Sequence, residues 1–142
     1  MAKTKQFDIL EHTADVGLAA YGRSLKEVFE NAAVGMFSLV ADLNKVGDSF
    51  SCELKVENED REGLLVEWLN ELIYVSEVQE VILKKFNITH LEEDGRFLTA
   101  KAYGEKIDLS RHQIKTQIKA CTYHNLKIEK NKIWEARVIF DI

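Results

Sequence analysis

The sequence predicts an α+β fold, a single domain over residues 1–142 in which a mostly antiparallel β-sheet packs against two main α-helices. Three observations predict it. Two segments carry apolar residues at i, i+3, i+4 spacing, the stripe of a helix that buries one face. Several others alternate apolar and polar residues with a period of two, as half-buried antiparallel strands do. The later strands are separated by short turn signals, which suit hairpins. A chain of 142 residues is long enough for one real hydrophobic core.

In chain order, "FDILEHTADVGLAAYG" (7–22) reads as strand, polar elbow, strand, with Asp8, Glu11, His12 and Asp15 gathered around the elbow. Ser24 then opens a helix. In "SLKE" it stands at the N-cap with Glu27 three residues on, a capping box. Leu25, Val28, Phe29, Ala32, Ala33, Met36, Phe37 and Val40 form the stripe, and Gly35 weakens it without breaking it. In "DSFSCELKVENED" (48–60), Phe50, Cys52, Leu54 and Val56 face one way and Ser51, Glu53, Lys55 and Glu57 the other. Asp60 caps a second helix striped by Leu64, Leu65, Trp68, Leu69, Leu72 and Ile73, so that two helices are available to cover one sheet. From Val81 the pattern is β again, with a hairpin around Asp94-Gly95, whose residues tolerate positive φ. "KIDLSRHQIKT" (106–116) is open between loop and short helix. The last 25 residues read as a hairpin turning near Asn131. Strand order is not derivable from these patterns.

Composition narrows the function. The chain is 46% hydrophobic and 30% charged, with a net charge of −5. Proteins that hold nucleic acid by its phosphates carry a basic surplus, so RNA is expected to be met only indirectly, through a partner protein. No run approaches the roughly 18 apolar residues of a membrane helix, and "MAKTKQFDIL" has no signal-peptide core. Cys52 and Cys121 form no CxxC pair, which points to a reduced, cytoplasmic setting. There is no GxxxxGK[ST], no GxGxxG and no recognisable Ser/His/Asp or Cys/His spacing, so free-standing catalysis is not expected. Proline is absent, and turns fall to Gly, Asn and Asp.

The candidate functional residues are carboxylates. Asp15 and Asp141 each sit among apolar neighbours, where an ionised carboxylate needs a partner, a cation or solvent. A polar strand end facing water is the ordinary explanation. The main-chain carboxylate of Ile142, however, lies one residue from Asp141, and Asp15 joins them if the last strand pairs beside the first. Three carboxylates together repel unless a cation lies between them, and an all-oxygen set suits Ca²⁺, Mg²⁺ or Mn²⁺. His12 is most simply a turn-ordering side chain bonded to a backbone carbonyl. His124 is ambiguous, and His90 and His112 read as surface positions. Arg111, Lys115 and Lys119 make a basic ridge if their segment is helical. The alternative is that Lys119 begins the next strand.

The blocks "EHTADVGLAAYG", "SLKEVFENAAVGMFSLVAD", "LLVEWLNELIYVSE", "IKACTYHNL" and "WEARVIFDI" resemble, in order and over essentially the whole chain, the archease family. Cys121 stands where that family more often has an aliphatic residue, a tolerable core change. The resemblance implies an α+β sandwich and a protein cofactor rather than an enzyme. Its partner is the RtcB-type RNA-splicing ligase, which joins tRNA exon halves using GTP and a divalent metal. Archeases promote the loading step that attaches GMP to the ligase's own histidine, and so sustain multiple turnover. The family's metal-binding carboxylates map onto Asp15, Asp141 and the terminal carboxylate of Ile142. Lys119 and His12 are further functional candidates, Lys119 as a contact to a phosphate or an acidic ligase residue. The alternative is a general chaperone or adaptor for a nucleic-acid enzyme, without metal chemistry. A metal-dependent hydrolase is least supported, since no nucleophile or general base is identifiable. A homo-oligomer stays open.

Overall fold

The computed structural model of the chain describes residues 5–11 and 15–142. Seven strands and two helices follow in the order β1 (Phe7–Glu11), β2 (Asp15–Gly22), α1 (Leu25–Val40), β3 (Phe50–Glu57), α2 (Arg61–Gln79), β4 (Val81–Leu91), β5 (Phe97–Lys106), β6 (Ala120–Lys130) and β7 (Trp134–Asp141). A 3₁₀ turn at Leu43–Lys45 follows α1. All strand pairings are antiparallel. The α+β class expected from the sequence is the one observed.

The single sheet expected is in fact two. One has the order β1-β2-β7-β6, the other β3-β5-β4. Both helices contact strands of both sheets, and this explains the sequence of α2. Besides its expected stripe it buries Val66, which lies off that stripe and is 1% exposed. A helix apolar on more than one face is one covered on more than one face.

Local chemistry sets the ends. Ser24 Oγ accepts from the Glu27 N–H, and Glu27 Oε1 accepts from the N–H of Arg23, one residue before the cap. Asp60 Oδ1 accepts from the Gly63 N–H to start α2. The two helices are joined by the indole of Trp68, fully buried and donating to the Phe29 carbonyl at 3.0 Å, which satisfies the one polar group of that side chain. Gly35, a propensity cost on α1, has a packing reason: a Cβ there would lie 2.8 Å from Leu18 Cδ1 and 3.0 Å from Phe7 Cγ. Strands β1 and β2 approach the helix where it has no side chain. The β4–β5 hairpin turns at Gly95, whose φ of +71° is the left-handed conformation glycine adopts without penalty.

Strand β6 is an edge strand with two irregularities. Its register on β7 slips between Thr122 and Lys127, where Asn125 has a φ of +54°. On its outer side the backbone of Cys121 is held by a side chain of α2: Asn70 Nδ2 donates to the Cys121 carbonyl at 3.0 Å, and Asn70 Oδ1 accepts from the Cys121 N–H at 2.8 Å.

Candidate functional site

The opening cluster of acids divides into two fates. Asp8 is accounted for locally, accepting from Lys5 Nζ at 3.0 Å and from the Tyr21 hydroxyl at 2.8 Å. These two bonds lower its pKa, and burial together with the Asp8 carboxylate pushes the Tyr21 hydroxyl up to about 12. Asp15 has no such partner among the described residues.

Strand β7 pairs beside β2, and the register sets Asp15 opposite Asp141. Both lie on the face turned away from the helices, since Val16, Leu18, Val138 and Phe140 on the alternate face are core residues. Opposed residues of an antiparallel pair have Cβ atoms about 4.5–5.5 Å apart, and like charges so placed destabilise the sheet. Asp141 is exposed, but Asp15 Oδ1 is buried and has no hydrogen-bond partner among the described residues. A buried carboxylate oxygen without a donor is what a cation relieves. Two paired carboxylates are the donor chemistry a hard divalent ion takes.

The third strand of the group is β6, where Ala120 stands opposite Asp141. Its short side chain leaves the carboxylates uncrowded on that side. Lys119 precedes it and donates its backbone N–H to the Asp141 carbonyl at 2.9 Å, with its side chain exposed. Among the described residues no three His, Cys, Asp or Glu side chains gather closely enough to hold a metal by themselves. His12 lies outside the described residues.

One open alternative is settled and one expectation is corrected. Residues 107–119 form no helix, so Arg111, Lys115 and Lys119 make no ridge. Arg111 is instead paired with Glu105 Oε2 at 2.8 Å and Asp108 Oδ2 at 3.3 Å. His112 is not a surface residue. It is 3% exposed, its Nδ1 accepts from the Asp108 N–H at 3.0 Å, and its Nε2 lies 2.9 Å from Glu105 Oε1. An Nδ1 that accepts leaves the proton on Nε2, which donates to the carboxylate. Glu105 also accepts from the Gly47 N–H. The Arg111 guanidinium, then the Gly47 N–H and His112, hold its pKa down to about 2. The buried imidazole thus ties the irregular segment to β5. His90 and His124 are exposed.

The chain matches the model of the Archease protein family over residues 7–142. It is 43% identical over 141 residues to protein archease of Methanosarcina barkeri, covering 97% of each chain. To protein archease of Pyrococcus abyssi it is 40% identical, covering 97% of this chain and 99% of that one. The solution structure of a Methanobacterium thermoautotrophicum protein superposes with a TM-score of 0.84 at 36% identity, over 98% of this chain and 100% of that one. The crystal structure of a Thermotoga maritima protein, described as an archease and possible chaperone, gives 0.65 at 23% identity, over 100% and 98%. At that identity the likeness is one of fold. Among the described residues no helix is long and apolar enough to cross a membrane. On the family match and the relatives together, this chain belongs to the archease family.

Proposed function

We propose that the chain is a protein cofactor, not an enzyme, that activates an RtcB-type RNA-splicing ligase in the cytoplasm. It promotes the GTP-dependent attachment of GMP to the ligase's own histidine and so sustains turnover in tRNA splicing. The observation that carries this reading is the register pairing of Asp15 with Asp141, with a buried oxygen on Asp15 that has no partner among the described residues. Asp15 and Asp141, joined by the main-chain carboxylate of Ile142, are the donors for a divalent metal, calcium or magnesium or manganese. When bound, such an ion supplies positive charge against the pyrophosphate that leaves GTP. The chain's own part is to present the two aspartates on the outer face of a rigid sheet, where a partner's active site can reach them. Lys119, exposed beside Asp141, meets a phosphate or an acidic side chain of the ligase. With a net charge of −5, the chain touches RNA only through that partner.

The test is ligase guanylylation, assayed with and without this chain across a titration of each metal. The reading expects the chain to lower the metal concentration needed for half-maximal guanylylation. No stimulation at any metal concentration overturns it. A second reading, an adaptor or chaperone that stabilises the ligase's productive conformation without metal chemistry, is favoured by one observation: no three metal-binding side chains gather among the described residues. That reading expects the same stimulation at every metal concentration.

A further inference from the structure

A groove of about 250 Å³ opens between the C-terminal ends of α1 and α2 and the irregular segment that follows β5. Its apolar walls include Val40, Ile73, Ile107 and Ile114, and Glu77 and Glu80 also line it. Both glutamates are exposed, and neither is in an ion pair among the described residues. The same elements expose further apolar side chains. Tyr74 and Val78 are exposed on the last turns of α2, and Leu109 is 78% exposed in the neighbouring segment. Exposed apolar surface gathered in one place marks interaction sites.

Two features argue that the groove is built rather than incidental. Its walls are fixed by backbone bonds, from the Ile107 N–H to the Glu80 carbonyl at 2.9 Å and from the Lys115 N–H to the Val40 carbonyl at 2.7 Å. Glu80 itself adopts a left-handed conformation, φ 55° and ψ 51°, at the end of α2. That position is usually glycine, because a Cβ is strained there. Glu80 thus sets a carboxylate, rather than a glycine, at the edge of the apolar groove.

The groove is also joined to the candidate site along the chain. Thr116, Gln117 and Ile118 line it, and the next residue, Lys119, bonds Asp141. One continuous segment thus runs from the groove, on the helix side, to the Asp141 end of β7.

We propose that this groove docks a segment of the ligase in which an apolar side chain is flanked by Lys or Arg. The apolar side chain enters between the isoleucines, and its basic neighbours meet Glu77 and Glu80. The partner's identity rests on the function proposed above. The groove's chemistry stands on the residues named here. Seating that segment holds the ligase on this chain, so the groove governs affinity and the aspartates govern the activated rate.

The experiment measures ligase guanylylation against the concentration of this chain. Variants are Glu77→Lys/Glu80→Lys, Ile114→Asp, and Glu80→Gly, which removes a charge while relieving the backbone and so keeps its fold. Glu59→Lys/Glu93→Lys, distant and exposed, controls for net charge. Groove variants should raise the half-maximal concentration, by about tenfold for the double reversal, with the plateau and calorimetric divalent binding unchanged. The control should match the parent chain. Folded groove variants that activate at parental concentrations overturn the docking proposal alone. So does a concentration-dependent dimer of this chain that the groove variants abolish, which would assign the groove to a second copy. A parent chain that neither binds nor stimulates the ligase overturns the proposed function, and this docking proposal with it.

Discussion

His112 donates to Glu105 across 2.9 Å from a fully buried side chain, seven residues along the chain. With Arg111 and the Gly47 N–H on the same carboxylate, this contact fastens the wall of the groove to β5. Glu105→Gln should loosen it. The carboxyl titrates near 4.5 when unfolded and near 2 in the fold. The ionised form is therefore the one the fold favours: its stabilisation is fully present above about pH 4.5 and is lost as pH falls towards about 2. Thermal melts from pH 6 to pH 2 should show the parent chain above Glu105→Gln at pH 6 and the difference closing below pH 4.5. A gap independent of pH would assign the effect to packing.

Asp15→Asn is expected to leave the fold intact and to remove function. Relieving two like charges on paired strands should stabilise the chain by about 0.2–1 kcal/mol in the absence of divalent ions, as read from urea denaturation with a chelator present. Ligase activation should fall to the level of ligase alone. A stable Asp15→Asn variant with full activation would remove Asp15 from the site.

Appending Gly-Ser after Ile142 converts its main-chain carboxylate to an amide and moves the new terminal charge away, by up to about 3.3–3.6 Å per residue. Phe140, fully buried, keeps its packing. Calorimetry should show weaker divalent binding and the guanylylation assay weaker activation, while an N-terminal extension leaves both unchanged. Equal metal affinity in the C-terminally extended chain would leave Asp15 and Asp141 as the donors without Ile142.

Asn70→Ala should destabilise β6 specifically. It strips the Cys121 N–H and carbonyl of their partners on α2, and each unsatisfied buried group costs about 1–3 kcal/mol. Hydrogen exchange should speed up at the Cys121 amide while the Leu18 amide of β2 keeps its protection. Uniform acceleration across the chain would mean global loss of stability instead.

The sequence showed what is local. The Ser24 and Asp60 caps, the alternation of Phe50 to Val56 and the turn at Gly95 each depend on residues within a few positions, and each was legible. The pairing of Asp15 with Asp141 was legible only as a condition, because it needs β7 beside β2 across more than a hundred residues. The split into two sheets was missed for the same reason, although Val66, apolar and off the stripe of α2, was a usable sign of a second covering layer. His112 was misread as surface because nothing in its neighbours marks burial. Its partners, the Glu105 carboxylate and the Asp108 N–H, become a cradle only once the segment folds back.

The outer edge of β6 has a consequence for how this sheet can grow. An edge strand normally offers a row of free amides on which a stray strand can zip up, the first step towards fibrils or exchanged dimers. Here the Asn70 side chain already fills the place at Cys121 that an invading strand would take. A few residues on, the slipped register and the left-handed Asn125 bend the ribbon out of line. An intruder would find neither a straight track nor a vacant first rung. The sheet that carries Asp15 and Asp141 is thereby kept from growing past β6, and remains at four strands.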